Sequence, residues 1–388
     1  MKIQFYNCPP SESFDQSLVQ EKPNFLAYHP DFALMNKLAQ RFADKKQIVV
    51  IGHGGSVTTF KGIYYALQGQ ANKEALFITT VDPDTIARIK ARTNPEHTLV
   101  IAISKSGETV TQLEALMQFT EYPMLFITGV AGPLAEIAHR LNATMVVHPP
   151  IGGRFTGLTE VALLPAALCG FDVKSLYDAG VKWYEQFGQN NPAFEAASIF
   201  NQLEAKGITE VFMPVYTDAL FMFSNLIVQL CHESFGKEQK GQTYFAHKAP
   251  ESQHHTNQRF FGGRHNIAGW FISAQQSAKP LITTVPETLA NIPLKDHTLQ
   301  ILNNIPLHKA LQYEREGTME DAKLSGIPFA DMQFESCNEK AAGELLAFFQ
   351  LYAVYSSLLR KVNPFDQPQV ENSKKISFSK RLSFSGEL

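Results

Sequence analysis

From Gln47 onward the chain alternates short, β-branched apolar runs with amphipathic segments of helical length. Residues 48–51, 75–80, 98–104, 124–128 and 144–148 read as strands separated by helices, the pattern of a parallel sheet covered by helices. A polar stretch containing Gly and Asn, residues 171–191, interrupts the alternation after Cys169. It resumes with a helix over 193–206, strands over 210–215, 267–273 and 281–285, and a long closing helix over 338–360. This predicts an α/β chain organised as an N-terminal segment (1–35), a first lobe (36–170), a connector (171–192), a second lobe (193–362) and a C-terminal loop and tail (363–388). The end of the tail is polar and basic, carries a Ser-Phe-Ser duplication at Ser377 and Ser383, and reads as partly loose.

A chain of 388 residues suffices for two compact lobes with a sizeable core. With 18% charged residues and a formal charge of -3, no nucleic-acid footprint is visible, so an anionic ligand has to be met locally. The cysteines, Cys8, Cys169, Cys231 and Cys337, form no C-x-x-C pair, which argues against a disulfide framework or zinc ribbon and for reduced thiols in the cytoplasm. Residues 1–20 contain no apolar stretch of signal-peptide length, and no uncharged run reaches the roughly 18 residues of a membrane span. The longest candidate, 345–359, includes Gln350, Tyr352 and two serines and reads as a buried amphipathic helix. Neither a membrane nor a nucleic acid is expected as a partner.

Candidate chemistry clusters where predicted strands give way to helices. Gly52-His53-Gly54-Gly55-Ser56 follows the first of these strands; its glycines let backbone approach a ligand, and a helix start offers free N–H groups to an anion. An ordinary tight turn has the same composition, and Val57 and the lack of a G-K-[ST] sequence leave both the dinucleotide and the nucleotide-triphosphate fingerprints unmet. Ser104-Lys105-Ser106-Gly107-Glu108-Thr109 is denser: three hydroxyls and a lysine at a helix start suit a phosphate dianion, although Ser followed by Glu also suits a plain capped helix. Gly152-Gly153-Arg154-Phe155-Thr156 brings an arginine to the same strand edge, either as a surface charge or as a fixed cation.

In the second half, Gln229 and Glu233 stand four apart on one helical face, just before Ser234-Phe235-Gly236-Lys237; alone, such a glutamate reads as a solvated carboxylate. Gln253, His254, His255 and Gln258 lie in a polar loop between His247 and His265, but the spacing matches no zinc pattern, so acid–base use of one histidine is the better reading and no metal is expected. Whether His254 or His255 acts stays open. Finally, Asn363-Pro364-Phe365-Asp366-Gln367-Pro368 leads to Glu371 and Lys374, a segment that its prolines shape as a loop, or else a terminal linker.

In this order the segments G-x-G-G-S, S-K-S-G-x-T, G-G-R-F, E-S-x-G-K, Q-H-x-x-x-Q and F-D-Q-P-x-V-E-x-x-K resemble those of the phosphoglucose isomerase family, from Gly52 to Lys374. The resemblance implies two sugar-isomerase (SIS) lobes, each a parallel-sheet α/β/α sandwich. It also implies reversible conversion of glucose 6-phosphate to fructose 6-phosphate through a cis-enediolate, without cofactor, in glycolysis and gluconeogenesis. By that resemblance Gly55, Ser56, Ser104, Lys105, Ser106 and Thr109 bind the sugar phosphate and Glu233 moves the proton between C2 and C1. Arg154 stabilises the enediolate, His254 and Lys374 assist ring opening, and Gln229 and Gln367 position the substrate. It further implies a homodimer in which His254 is lent across the interface.

Proton transfer between adjacent carbons needs a carboxylate and a nearby fixed cation, a requirement that Glu233 and Arg154 meet in type. His53 and Pro250-Glu251-Ser252 depart from the usual family residues, whereas Gln258 and Ser104-Lys105 favour the glucose-specific branch over the dual-specificity enzymes that also take mannose 6-phosphate. A sugar-phosphate-sensing regulator is the reading from another class. It predicts an attached DNA-binding domain, and the roughly 45 residues before the first expected strand contain no basic helix pair.

Overall fold

The structure, a computed structural model, describes residues 1–277 and 279–386. The first strand, β1 (Lys2–Tyr6), lies in the segment expected to precede the lobes. The first sheet contains β2 (Gln47–Gly52), β3 (Glu74–Ile78), β4 (Thr98–Ser104), β5 (Met124–Thr128) and β6 (Thr144–Val147), all parallel in the order β3-β2-β4-β5-β6. Every residue of β4 and β5 is buried, which explains why these strands read as continuous apolar runs rather than alternating ones.

The second sheet is built from β7 (Glu210–Tyr216), β8 (Thr243–Lys248) and β9 (Ile267–Ala274). After a two-residue hairpin, β10 (Pro293–Leu294) with β11 (His297–Thr298), it is completed by β12 (Phe329–Phe334). Its order is β1-β12-β9-β7-β8, with β1 antiparallel and the rest parallel. The run at 281–285, expected as a strand, does not join it. Ile282 makes only an isolated bridge to Pro306, and Leu281 and Ile282 are exposed. The run lies in an arm, residues 275–310, in which no described residue is buried, so its β-branched composition meets no sheet to complete.

Residues 171–192, expected as a connector, hold the helix Val173–Tyr184, capped by Asp172, which accepts a hydrogen bond from the Ser175 N–H at 3.0 Å. Val173, Leu176, Tyr177, Gly180 and Tyr184 form its buried face, a helical period obscured in the sequence by interleaved charges. It packs against the helix Glu339–Leu359, and the approach is so close that a Cβ on Gly343 would stand 2.1 Å from the Leu176 carbonyl oxygen. Glu339–Leu359 is long and apolar enough to cross a bilayer but is mostly buried inside the protein, between Val173–Tyr184 and Pro192–Ala205. One hydrophobic cluster runs from β2 and β4 through these helices to β7 and β9, so the two sheets share a core. The tail, expected to be partly loose, forms the helix Glu371–Gly386. Arg381 fastens it to Glu114 of the helix Val110–Leu116 through Nη2–Oε2 at 2.8 Å and a second bond from Nε.

Candidate active site

Two strand–helix loops lie at the C-terminal ends of adjacent strands of the first sheet. β2 ends at Gly52, and Gly54, with φ of 53°, turns the chain into the helix Gly55–Leu67. The N–H groups of Val57 and Thr58 both reach the Gly54 carbonyl at 2.9 Å, leaving those of Gly55 and Ser56 without an intrahelical acceptor. β4 ends at Ser104, whose Oγ accepts from the Gly107 N–H at 3.1 Å, while Ser106 Oγ accepts from the Glu108 N–H at 3.3 Å. Thr109 precedes the helix Val110–Leu116 without a side-chain capping bond, and Lys105 is exposed.

Gln112 holds the two loops in register. Its buried Nε2 donates to the carbonyls of Ile51 (2.9 Å) and Ile103 (3.0 Å), the penultimate residues of β2 and β4. His53 adds a tie to Thr111 Oγ1 at 3.0 Å, and burial pulls its imidazole below the ordinary pKa, towards the neutral form.

The turn Gly153–Phe155 lies directly on the first loop, because a Cβ at Gly55 would be 2.2 Å from the Gly153 carbonyl carbon and the Arg154 nitrogen. Arg154 is 3% exposed and surrounded by acceptors. Nε donates to Ser234 Oγ (2.9 Å), and Nη1 donates to Glu233 Oε2 (3.0 Å) and Gln367 Oε1 (2.8 Å). Nη2 donates to the carbonyls of Glu233 (3.3 Å), Asp366 (3.1 Å) and Pro364. Burial lowers the guanidinium pKa while Glu233 and Asp366 oppose it, and an arginine starts so high that it stays charged. From behind, Gln350 Nε2 donates to the Arg154 carbonyl at 3.2 Å.

Glu233 is near the end of the helix Ser224–Phe235, one turn after Gln229. Gln229 Nε2 donates to Glu233 Oε1 at 3.1 Å, so one carboxylate oxygen meets a cation and the other an amide. The side chain is 28% exposed and can still be approached. Lys237 latches the segment 363–367 by donating to the Asp366 carbonyl (2.6 Å) and carboxylate and to the Asn363 carbonyl.

Arg154, Gln229, Glu233 and Gln367 are thus brought together, with Gly55 packed against the turn that carries Arg154. His254 and Lys374 are not among them. His254 ends the turn Glu251–His254 after β8 and is exposed, without a hydrogen bond to the cluster. Its neighbour Gln253 is anchored, donating to Thr318 Oγ1 (3.0 Å), the Glu314 carbonyl (3.1 Å) and the Tyr216 hydroxyl (3.3 Å). His255 bonds Thr256 Oγ1 at 2.6 Å and meets His247 with ring centroids 4.9 Å apart, while Gln258 is exposed. Lys374 projects from the tail helix and pairs with Glu371 at 2.8 Å. Among the described residues no group of three or more His, Cys, Asp or Glu converges to hold a metal.

Sequence reasoning missed Ser234, Gln350, Gln112 and Thr58. Ser234 sat within a quoted segment, and Gln350 was visible as an amide inside an apolar helix. Gln112 and Thr58 carried no signal, since neither spacing nor composition distinguishes them from other polar residues on a helix.

Two α/β lobes, each on a mostly parallel sheet, define the sugar-isomerase class of fold. The chain belongs to the phosphoglucose isomerase family, whose model matches residues 38–384. It is 29% identical over 337 residues to the glucose-6-phosphate isomerase of Rubrobacter xylanophilus, covering 82% of this chain and 76% of that one. It is also 26% identical over 392 residues to the glucose-6-phosphate isomerase of Carboxydothermus hydrogenoformans, covering 91% and 83%. Among solved structures, a hypothetical protein of Thermus thermophilus superposes with a TM-score of 0.82 at 25% identity, over 95% of this chain and 92% of that one. A glucose-6-phosphate isomerase of Chlamydia trachomatis shares the fold with a TM-score of 0.76 at 18% identity, over 98% and 81%.

Proposed function

We propose that this chain is a glucose-6-phosphate isomerase, interconverting glucose 6-phosphate and fructose 6-phosphate in glycolysis and gluconeogenesis. The observation that carries the reading is the 3.0 Å bond from Arg154 to Glu233 next to two anion-ready loops, in a chain whose curated relatives bear that name. Ser56, Ser104, Lys105, Ser106 and Thr109, with the N–H groups at Gly55 and Ser56, hold the phosphate. The phosphate does not react; its binding energy positions the reacting carbons.

Glu233 takes the proton from C2 of the open-chain aldose, the electron pair moves into the C1–C2 bond, and the carbonyl oxygen at C1 becomes the anionic oxygen of a cis-enediolate. Return of the proton from Glu233 to C1, with transfer of the O2 hydroxyl proton to the anionic oxygen at C1, gives the ketose with its carbonyl at C2 and regenerates the carboxylate. Arg154 faces the developing charge, buried and held by hydrogen bonds from all three guanidinium nitrogens, so stabilisation requires little reorganisation. Gln229 and Gln367 orient the substrate, and the chemistry needs no cofactor.

Ring opening falls to His254 and Lys374. His254 acts from a second copy of the chain: it is exposed and outside the Arg154–Glu233 cluster. The arm at 275–310 exposes Leu281, Ile282, Ile292 and Ile301 with no buried residue of its own among those described, a surface suited to a homodimer. The cysteines are free, consistent with a cytoplasmic protein.

Replacing Glu233 by Gln removes the base while keeping shape. A coupled assay of fructose 6-phosphate conversion should show turnover reduced by roughly two to four orders of magnitude with sugar-phosphate binding largely retained. Full activity in that variant refutes the assignment, and faster conversion of mannose 6-phosphate in parallel wild-type assays would transfer the substrate to the dual-specificity reading.

A further inference from the structure

Thr58 is near the start of the helix Gly55–Leu67, the helix that opens with Gly55 and Ser56, and its hydroxyl crosses to the other lobe to donate to Gln229 Oε1 at 3.1 Å. Gln229 Nε2 then donates to Glu233 Oε1 at 3.1 Å. Gly54 bounds the same amide, since a Cβ there would stand 2.9 Å from Gln229 Nε2. The polarity of this relay is forced from its far end. An ionised carboxylate only accepts, so the Gln229 nitrogen must face Glu233, the amide oxygen must face position 58, and only a donor at 58 completes the arrangement.

We infer that Thr58 is a positioning residue for the isomerisation, setting the orientation of the Gln229 amide and through it the carboxylate of Glu233. The inference rests on the isomerase reading above and deepens it. Without a donor at 58 the amide keeps only its bond to Glu233 and loses the one that fixes its oxygen, and an amide that turns sets that oxygen against the carboxylate that must receive the proton. Because Thr58 shares its helix with Gly55 and Ser56, one element both meets the phosphate and aims the base, so the distance from anchored phosphate to reacting carbons is set by that helix rather than by a flexible loop. Thr58 itself touches neither reacting carbon, so its removal should affect turnover rather than substrate affinity.

Val matches Thr in shape but lacks the hydroxyl. In the full-length protein, Thr58→Val should lower kcat for fructose 6-phosphate about tenfold, the order expected from one misdirected hydrogen bond, with KM within about twofold. Thr58→Ser, which keeps the donor, should recover most of the loss. In a Gln229→Leu background, where there is no amide to orient, adding Thr58→Val should change kcat by less than about twofold. The inference is overturned if Thr58→Val turns over within twofold of wild type, if Thr58→Ser falls as far as Thr58→Val, if the loss lies in KM alone, or if the two substitutions multiply independently. An inactive wild-type chain would remove the isomerase reading and this inference together; an active one with an indifferent position 58 would remove only the latter.

Discussion

Gly55 matters for the volume it leaves empty. The turn carrying Arg154 rests against its Cα, and a methyl group there would stand 2.2 Å from backbone atoms that have no flexible end to give way. Gly55→Ala should therefore displace Gly153 and Arg154, lowering turnover at least a hundredfold and stability by about 1–3 kcal/mol, measured by the coupled assay and urea unfolding. Wild-type turnover would show that the turn is not fixed by this contact. His148 offers a second test. It is buried, with Nδ1 2.7 Å from the Pro149 carbonyl, which can only accept, and with Nε2 lacking a partner among the described residues. Burial holds its pKa below the ordinary value, the Pro149 bond opposes this, and Lys105 adds to it. The unfolded chain then binds the proton first as pH falls, so the stability contributed by neutral His148 is complete above about 6.5 and is lost as pH drops towards the folded-state value. His148→Gln should make the urea midpoint fall less steeply between pH 7 and pH 5; an unchanged slope would exclude His148 as a titrating group. Neither constraint was legible in the residue types, because both depend on what lies opposite.

At the scale of elements, the inner parallel strands of the first sheet, β2, β4 and β5, were readable because burial on both faces makes them nearly continuous apolar runs. β1 was not: its Lys2 to Tyr6 acquire meaning only by pairing with β12 more than three hundred residues later. The second sheet is also tied by a buried ion pair between elements, Arg315 of the helix Leu307–Leu324 and Asp331 of β12, with Nε–Oδ1 at 3.2 Å and a closer Nη2–Oδ2 contact. Burial raises the Asp331 pKa and Arg315 opposes the shift. Arg315→Met leaves that carboxylate unpaired and should destabilise by about 3–5 kcal/mol, with much of the loss recovered by adding Asp331→Leu. Equal urea midpoints for wild type and the single variant would show that the pair does not hold helix to sheet. The same helix supplies Thr318 and the Glu314 carbonyl to Gln253, so it also fixes the turn that ends in His254.

For the whole molecule, the placement of His254 makes the proposed dimer testable without an assay of association. Chains carrying Glu233→Gln and chains carrying His254→Ala should each be nearly inactive. Dissociated and reassembled together, they should regain about a quarter of wild-type activity, because half the dimers are mixed and each mixed dimer has one site with both residues intact. No recovery would mean that His254 serves its own chain or none. Within each chain the shared core joins the two sheets through Glu339–Leu359.

The sequence alone determined the family and the α/β class, and named the residue types of the candidate site, because those reside in short segments whose composition is constrained locally by turns, helix starts and buried strands. Only the tertiary structure decided which of those segments meet. Arg154, Glu233 and Gln367 converge from three distant stretches of chain, whereas His254 and Lys374, equally prominent in the sequence, stay outside the cluster. Thr58, Ser234 and Gln350 gain their roles only through their partners. A hydrogen bond between residues far apart in sequence leaves no local periodicity to read, and its existence depends on how the two sheets pack.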